Sequence, residues 1–246
     1  MATLKGLLSL PQQVSVNKSK SDYEAVVLTA VNTVVRKLNI NANKLVSLGA
    51  LHDGAPNLSY LSASKNELNY AGIKEVYKLK KLVTLILSLN KLEKIPKSLS
   101  KLPQLQALIL NGNQISKFPA LEIPTLSALV LSRNTISQLS PDAFAGLPSL
   151  TKLSLSHNGL TEFPDVSRNL GLRELRLNGN QLTSVPSLEA NEELVQLDVG
   201  SNKIRDGWHA VKLVGPKLKN LSLRGNCPEL DIPTGDLLEH YPMLMT

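Results

Sequence analysis

The sequence contains little cysteine, few aromatic residues and no long apolar run. Cys227 is the single cysteine among 246 residues, which excludes the internal disulfide framework typical of small secreted domains. No stretch approaches the roughly 20 apolar residues that a membrane-spanning helix needs. Residues 1–14, with one lysine and a short apolar patch that ends before Pro11, do not resemble a signal peptide. We therefore expect an intracellular protein without a membrane segment.

Sequence patterns typical of catalysis or metal binding are also missing. The chain has no glycine-rich phosphate loop, and no serine or cysteine lies in a context that would activate it as a nucleophile. The four histidines are not spaced as metal ligands and have no cysteine companions: they are His52, His157, His209 and His240. We expect no enzyme activity, no metal, no cofactor and no small-molecule substrate.

Asparagine and leucine, by contrast, recur at a nearly fixed interval. Nine asparagines follow one another at steps of 21 to 24 residues, and each has a leucine five residues before it. The asparagines are Asn43, Asn66, Asn90, Asn113, Asn134, Asn158, Asn180, Asn202 and Asn226. The repeated unit reads L-x-x-L-x-L-x-x-N-x-L, which predicts a solenoid of about nine repeats.

Each position of the unit has a physical role. In the repeat that begins at Leu105, Leu108 and Leu110 alternate with residues 107, 109 and 111, which predicts a strand with its leucines facing the core and the residues between them facing outward. The side-chain amide of Asn113 has donors and an acceptor, so it can satisfy backbone groups where the chain leaves the strand. Successive strands then stack in parallel, and each repeat contacts only its neighbours.

These residues resemble the leucine-rich repeat superfamily over about residues 35–228. The resemblance implies an α/β solenoid, a curved horseshoe with a parallel sheet on its concave face and loops, 3₁₀ turns and short helices on its convex face. Most repeats are similar to the short intracellular class of phosphatase-regulator and dynein-associated (dynein-light-chain-like) proteins, and residues 139–160 are similar to the typical class.

The two ends are expected to cap the solenoid, because an open end exposes core residues. We predict an N-terminal segment and degenerate cap over residues 1–34, with Val26 and Leu28 in an opening strand. A C-terminal cap is predicted over residues 229–246. It ends at Thr246, where the family's cap usually continues, so we expect that a tail is missing.

The outward-facing strand positions predict a protein-binding surface in the middle of the concave face. An apolar residue at one such position would reflect only strand propensity, but several in adjacent repeats favour a contact site. This predicted concave patch comprises Tyr60, Thr84, Ile86, Leu89, Ala107, Ile109, Ala128 and Val130. Towards the C-terminus the same positions are polar, and this rim comprises Lys152, His157, Glu174, Arg176 and Asp198. Mutual ion pairing of Glu174, Arg176 and Asp198 is the simpler interpretation of the rim.

Charge is unevenly distributed along the chain. Residues 1–101 contain 15 Lys or Arg and 6 Asp or Glu, whereas residues 102–246 contain 12 and 14. The excess forms a predicted basic edge on the return segments of two repeats: Lys74, Lys78, Lys80, Lys81, Lys91, Lys94, Lys97 and Lys101. It is either a solvated surface or a contact for an acidic protein or an RNA backbone. The scarcity of aromatic residues there disfavours recognition of single-stranded bases.

Three functions are consistent with the sequence. We expect a non-catalytic scaffold or adaptor that binds protein partners in the concave groove, as a subunit of a nuclear, nucleolar or other ribonucleoprotein assembly. The alternatives are a regulatory subunit of an enzyme such as a protein phosphatase, or a cytoskeletal or ciliary adaptor. Salt dependence separates contacts through the basic edge from contacts through the apolar patch.

Overall fold

The computed structural model describes residues 15–24, 31–49, 51–205 and 217–226. The chain divides into two compact units, Met1–Ile115 and Ser116–Thr246. In the part of the chain that is described, no helix has both the length and the apolar character that crossing a membrane requires.

Five parallel strands lie in the described part of the first unit. They are β1 Ser15–Asn17, β2 Lys37–Asn39, β3 Tyr60–Ser62, β4 Thr84–Ile86 and β5 Ala107–Ile109. Each strand pairs with the next one along the chain, and the middle residues align in one row. That row is Val16, Leu38, Leu61, Leu85 and Leu108, and all five are buried.

The second unit repeats this architecture. Its strands are β6 Ala128–Val130, β7 Lys152–Ser154, β8 Glu174–Arg176, β9 Gln196–Asp198 and β10 Asn220–Ser222. They also pair in parallel and in chain order, with a leucine at the centre of each. The predicted solenoid of one short parallel strand per repeat is therefore confirmed.

The asparagine ladder joins consecutive coils through backbone hydrogen bonds. Asn90 is buried, and its Nδ2 donates to the carbonyls of Leu87 in its own coil and Ala63 in the preceding coil, both at 3.0 Å. Its Oδ1 accepts the backbone N–H of Leu68 at 3.0 Å. The same arrangement recurs at Asn43, Asn66, Asn113, Asn158, Asn180, Asn202 and Asn226. The predicted role of the ladder, satisfying backbone groups that the turn leaves unpaired, is confirmed.

A left-handed residue precedes every ladder asparagine. The φ angles at these nine positions lie between 52° and 75°, a region that favours glycine. The nine residues are Ala42, Lys65, Leu89, Gly112, Arg133, His157, Gly179, Ser201 and Gly225. The turn out of each strand therefore has one fixed backbone conformation, and six of the nine positions hold a residue with a side chain despite the cost.

A second set of asparagines supports the return side of the second unit. Asn169 and Asn191 are fully buried, 22 residues apart, and each lies five residues before a strand. Asn169 Nδ2 donates to the carbonyls of Phe144 and Leu147, and Asn191 Nδ2 donates to that of Asn169. The repeat unit L-x-x-L-x-L-x-x-N-x-L does not include this second set of asparagines.

The return segments are short, as the repeat length predicts. They contain the one-turn helix α1 Leu51–Gly54 and 3₁₀ helices at Ala71–Ile73, Val76–Lys78 and Lys97–Lys101. In the second unit, the ring centroid of Phe144 lies 5.5 Å from that of Phe118 and 6.1 Å from that of Phe163. These three aromatic rings fill the space between consecutive returns.

The opening strand differs from the prediction. The strand that pairs with β2 is Ser15–Asn17, not a segment around Val26 and Leu28, and those two residues lie outside the described ranges. Lys20 has a φ of 54°, and the backbone N–H of Ser21 donates to Asn43 Oδ1, so Ser21 follows the left-handed turn where later coils have asparagine. The predicted C-terminal cap, Cys227, His209 and His240 also lie outside the described residues.

Candidate protein-binding site

The outward face of β3, β4 and β5 in the first unit is mainly apolar. The register aligns Tyr60 with Thr84 and Thr84 with Ala107 in one row, and Ile86 with Ile109 in the other. All five side chains are half-buried, while the leucines between them are fully buried. The alternation places Ile86 and Ile109 side by side on the outer surface, because neighbouring strands lie about 4.8 Å apart.

Leu89 extends this surface beyond the end of β4. It is 46% exposed and has a φ of 55°. A Cβ added at Gly112, the equivalent residue of the next coil, would lie 2.6 Å from Leu89 Cδ2. The Leu89 side chain therefore lies over a glycine that leaves room for it.

Ala128 and Val130 occupy the equivalent outward positions of β6, the first strand of the second unit. Both are half-buried, and they align with Lys152 and Ser154 on β7. Within this unit the outward surface therefore changes from apolar on β6 to polar on the neighbouring strand β7. The predicted concave patch thus consists of six residues in the first unit and two in the second.

The polar rim is held by ion pairs centred on Glu174. Its Oε2 lies 2.9 Å from Lys152 Nζ, and its Oε1 lies 2.6 Å from Arg176 Nε, although that second contact is not aligned as a hydrogen bond. The predicted pairing of Asp198 with Glu174 and Arg176 is wrong. Instead, Asp198 Oδ1 accepts the backbone N–H of Gly200 at 3.1 Å. The carboxylate turns towards its own strand end, where it caps the turn. Lys152, which the sequence places in the polar rim without a partner, forms the ion pair with Glu174 instead.

His157 belongs to the turn and not to the ion-pair cluster. It is exposed, has a φ of 54°, and lies over Gly179, where an added Cβ would be 2.4 Å from its Nδ1. Its Nε2 lies 3.5 Å from Asn178 Nδ2. His157 therefore has the same relation to Gly179 that Leu89 has to Gly112.

The lysines of the basic edge lie on adjacent return segments of the first unit. Lys78 Nζ is 2.5 Å from Glu75 Oε2, which holds the pKa of that carboxyl below its ordinary value and raises the pKa of the Lys78 ammonium. Lys91 Nζ is 2.9 Å from Glu67 Oε2. Within the described part of the first unit the remaining six make no ion pair: Lys74, Lys80, Lys81, Lys94, Lys97 and Lys101.

The described residues form no candidate metal site. Among the residues described here, no group of three or more histidine, cysteine or acidic side chains is placed to hold a metal ion. The candidate surfaces are therefore an apolar strand face and a basic edge, and both are suited to macromolecular contacts.

Comparison with known proteins identifies the family. The profile described as Leucine rich repeat matches residues 74–115 and 121–160. Lumican of Oryctolagus cuniculus is 32% identical over 138 residues, which are 54% of this chain and 70% of that protein. The chain belongs to the leucine-rich repeat family. The two ranges that the profile matches include β4 and β5 of the first unit and β6 and β7 of the second.

Other relatives are considerably longer than the matched region. Lumican of Bos taurus is 33% identical over 138 residues, but the match spans 40% of its length. An uncharacterized leucine-rich repeat-containing protein of Schizosaccharomyces pombe is 37% identical over 117 residues, 46% of this chain and 18% of that protein. The chain thus spans less than half the length of these two relatives.

Solved structures agree on the fold of this leucine-rich repeat chain. An internalin, InlF of Listeria monocytogenes, has a TM-score of 0.68 at 25% identity and covers 79% of this chain and 56% of its own. YopM of Yersinia enterocolitica has a TM-score of 0.65 at 27% identity, over 88% of this chain and 47% of its own. The plant peptide hormone receptor RGFR1 in complex with RGF2 has a TM-score of 0.56 at 25% identity, over 82% of this chain and 40% of its own.

Proposed function

We propose that this leucine-rich repeat protein is a non-catalytic scaffold that binds a protein partner on the outward face of β3 to β5. The contact centres on Ile86 and Ile109, with Leu89 at its edge and the smaller Ala107 beside them. The partner contributes an apolar side chain or helix face that covers the two isoleucines, and the space beside Ala107 accepts its largest side chain.

The exposed apolar side chain of Leu89 is the observation that carries this proposal. A residue with a side chain in the left-handed region costs about 1–2 kcal/mol relative to ordinary backbone. Six of the nine equivalent turn positions bear this cost, and Leu89 is the one large apolar side chain among them. It lies over Gly112 and is still 46% exposed. A partner that covers Leu89 removes from water the apolar surface that folding leaves exposed.

The aligned isoleucines support the same conclusion. Ile86 and Ile109 are register partners on adjacent strands, and neither is fully buried within the chain. A partner that covers them removes their remaining apolar surface from water, which stabilises the complex by about 25 cal/mol per Å² buried. An adjoining set of exposed apolar residues of this kind typically marks a contact site.

Related structures are compatible with a peptide or protein ligand. RGFR1, at 25% identity, is a peptide hormone receptor in complex with RGF2. We extend to this chain only the coarse feature that a solenoid of this family presents a surface to a polypeptide. The residues that would contact the partner follow from the apolar positions of this sequence.

The cellular setting remains a prediction from the sequence. We propose an intracellular protein of the short-repeat class, within a nuclear or ribonucleoprotein assembly, on the basis of the single cysteine and the lysine-rich first half. A role as an enzyme regulator or as a cytoskeletal or ciliary adaptor is the alternative. Subcellular fractionation, followed by identification of co-purifying proteins, separates these settings.

Quantitative affinity capture tests the binding surface. Wild-type protein, Ile109→Arg and Gln196→Arg are used as baits in parallel with isotope-labelled extracts. Gln196 is a matched control, since it is a half-buried, outward-facing strand residue of the polar region and receives the same charge. We expect a stoichiometric partner that Gln196→Arg retains and Ile109→Arg loses. Equal capture by all three baits would contradict the proposal.

A further inference from the structure

Tyr77 holds two lysines of the basic edge around its ring. The ammonium groups of Lys80 and Lys101 each lie 5.4 Å from the ring centroid of Tyr77. Lys80 Nζ also donates to the backbone carbonyl of Lys101 at 3.0 Å. Two side chains that normally move freely are thus positioned by one aromatic ring and one carbonyl, and we call these three residues the lysine–tyrosine cluster.

The return segments of two consecutive coils build this cluster. Tyr77 belongs to the 3₁₀ helix Val76–Lys78, and Lys101 ends the 3₁₀ helix Lys97–Lys101. The two 3₁₀ helices pack against each other, and each buries one apolar residue, Val76 in the first and Leu99 in the second. The positions of the ammonium groups therefore depend on the solenoid, not on a local sequence motif.

The cluster carries positive charge that the first unit does not neutralise. Glu75, the nearest acid in sequence, is already paired with Lys78. In the described part of this unit, no carboxylate lies within ion-pair distance of Lys80 or Lys101. The face of the ring attracts both cations, but the two like charges repel each other. An anion that binds both would remove this repulsion.

We propose that the lysine–tyrosine cluster is a docking site for an acidic segment of a protein, separate from the apolar strand face. Extended polypeptide places alternate side chains on one side about 6.6 Å apart, so glutamates or aspartates at every second position can reach both ammonium groups. Lys97 and Lys81, both exposed on the same two returns, extend the positive surface for further carboxylates.

A protein segment fits this surface better than single-stranded RNA does. Recognition of RNA bases relies on free aromatic faces. The Tyr77 ring is already engaged by two ammonium groups. Tyr70 is exposed in the same stretch, but it is not part of the cluster, since the described cation–π contacts of Lys80 and Lys101 are both made with Tyr77. The cluster thus offers point charges without a stacking platform.

Fluorescence anisotropy with a labelled 20-residue polyglutamate tests the proposal on the full chain. We expect Lys80→Glu with Lys101→Glu to weaken binding at low salt by about tenfold or more, because two exposed ion pairs become repulsive. The matched control replaces the exposed Lys117 and Lys203 of the second unit with glutamate, for the same change in net charge. We expect its affinity to fall by less than about threefold.

Two uncharged changes separate positioning from net charge. Tyr77→Phe keeps the ring and should keep wild-type affinity, while Tyr77→Leu should weaken binding several-fold with no change in net charge. The proposal would be overturned if the Lys80/Lys101 and Lys117/Lys203 double variants lost the same amount of affinity for polyglutamate. It would also be overturned if a folded Tyr77→Leu variant bound polyglutamate as tightly as wild type. Tighter binding of a uridine 20-mer than of polyglutamate, lost on Lys80→Glu with Lys101→Glu, would assign the site to RNA instead.

Discussion

The side chain of Leu89 occupies the space that a side chain at Gly112 would need. Both residues have left-handed backbone, with φ angles of 55° and 69°, at the same position of consecutive repeats. An added Cβ at Gly112 would lie 2.6 Å from Leu89 Cδ2. His157 and Gly179 repeat this relation in the second unit, so a glycine in one coil accommodates the larger residue of the coil before it.

Gly112→Ala should lower the free energy of unfolding by about 1–2 kcal/mol, because alanine is strained at this φ and Leu89 must move. Urea denaturation measures the loss. Gly159→Ala is the matched control: a Cβ there meets its nearest atom at 3.7 Å, and its φ is outside the left-handed region. The control should change the free energy by no more than about 1 kcal/mol. A loss at Gly159 as large as at Gly112 would refute the role of the turn.

Neighbouring residues of β5 should respond in opposite ways to mutation. Leu108 is fully buried, so Leu108→Ala should cost about 2–5 kcal/mol by leaving a core cavity. Ile109 faces outward, so Ile109→Arg should leave the melting temperature nearly unchanged while partner capture is lost. Thermal denaturation of both variants checks the facing of the strand. Unfolding of Ile109→Arg would mean that the isoleucine is part of the core.

The ladder asparagines should be far more sensitive than a surface asparagine. Asn90→Ala removes four buried backbone contacts and leaves the Leu68 N–H and three carbonyls without this partner, at a cost of about 3 kcal/mol or more. Asn57→Ala removes one bond, from Nδ2 to the Thr33 carbonyl at the surface, and should cost less than about 1.5 kcal/mol. Differential scanning calorimetry ranks the two variants. Similar losses of stability in the two variants would show that a ladder asparagine contributes no more to folding than a surface asparagine.

The ion pair between Glu75 and Lys78 gives a pH-dependent contribution of known sign. The pKa of Glu75 is lowered from 4.5 by the Lys78 ammonium, so its stabilising effect is fully present above about pH 4.5 and is lost as the pH falls through the lowered pKa. The pKa of Lys78 is raised, so the effect is also lost when the pH rises above 10.5 and passes the raised value.

Melting temperatures of wild type and Glu75→Gln, measured from pH 7 down to pH 3, check this sign. The small difference between the two proteins should be constant near neutral pH and should vanish in acid, because the exposed pair is screened by solvent and then neutralised. A difference that grows as the pH falls would contradict the assigned pairing.

The repeat pattern predicts most of the fold because its side chains repeat the same contacts. Leu108 and Asn113 have equivalents in the nine coils that carry a ladder asparagine, so their burial and hydrogen bonds follow from the spacing. Strand β1 does not follow the repeat pattern. Val16 occupies the position of the leucine in later coils, and Ser21 occupies the position of the asparagine. Only the pairing with β2 identifies it. The interval between Asn169 and Asn191 equals a repeat and could have revealed the second ladder.

The candidate surfaces are less completely encoded in the pattern. The outward positions of Ile86 and Ile109 follow from strand alternation, so the sequence alone locates the apolar face. Tyr77 was not singled out, because its contacts with Lys80 and Lys101 depend on how two 3₁₀ returns lie side by side. Leu89 belongs to the predicted concave patch, but its left-handed conformation is evident only from the backbone angles.

Site-specific photocrosslinking tests the protein-binding face most directly. A photoreactive phenylalanine analogue replaces Ile109 in one protein and Gln196 in another, and both are irradiated in extract with and without RNase and at low and high salt. We predict one protein adduct at position 109, insensitive to RNase and to salt, and none at position 196. An adduct only at position 196, or loss of the position 109 adduct on RNase treatment, would contradict it.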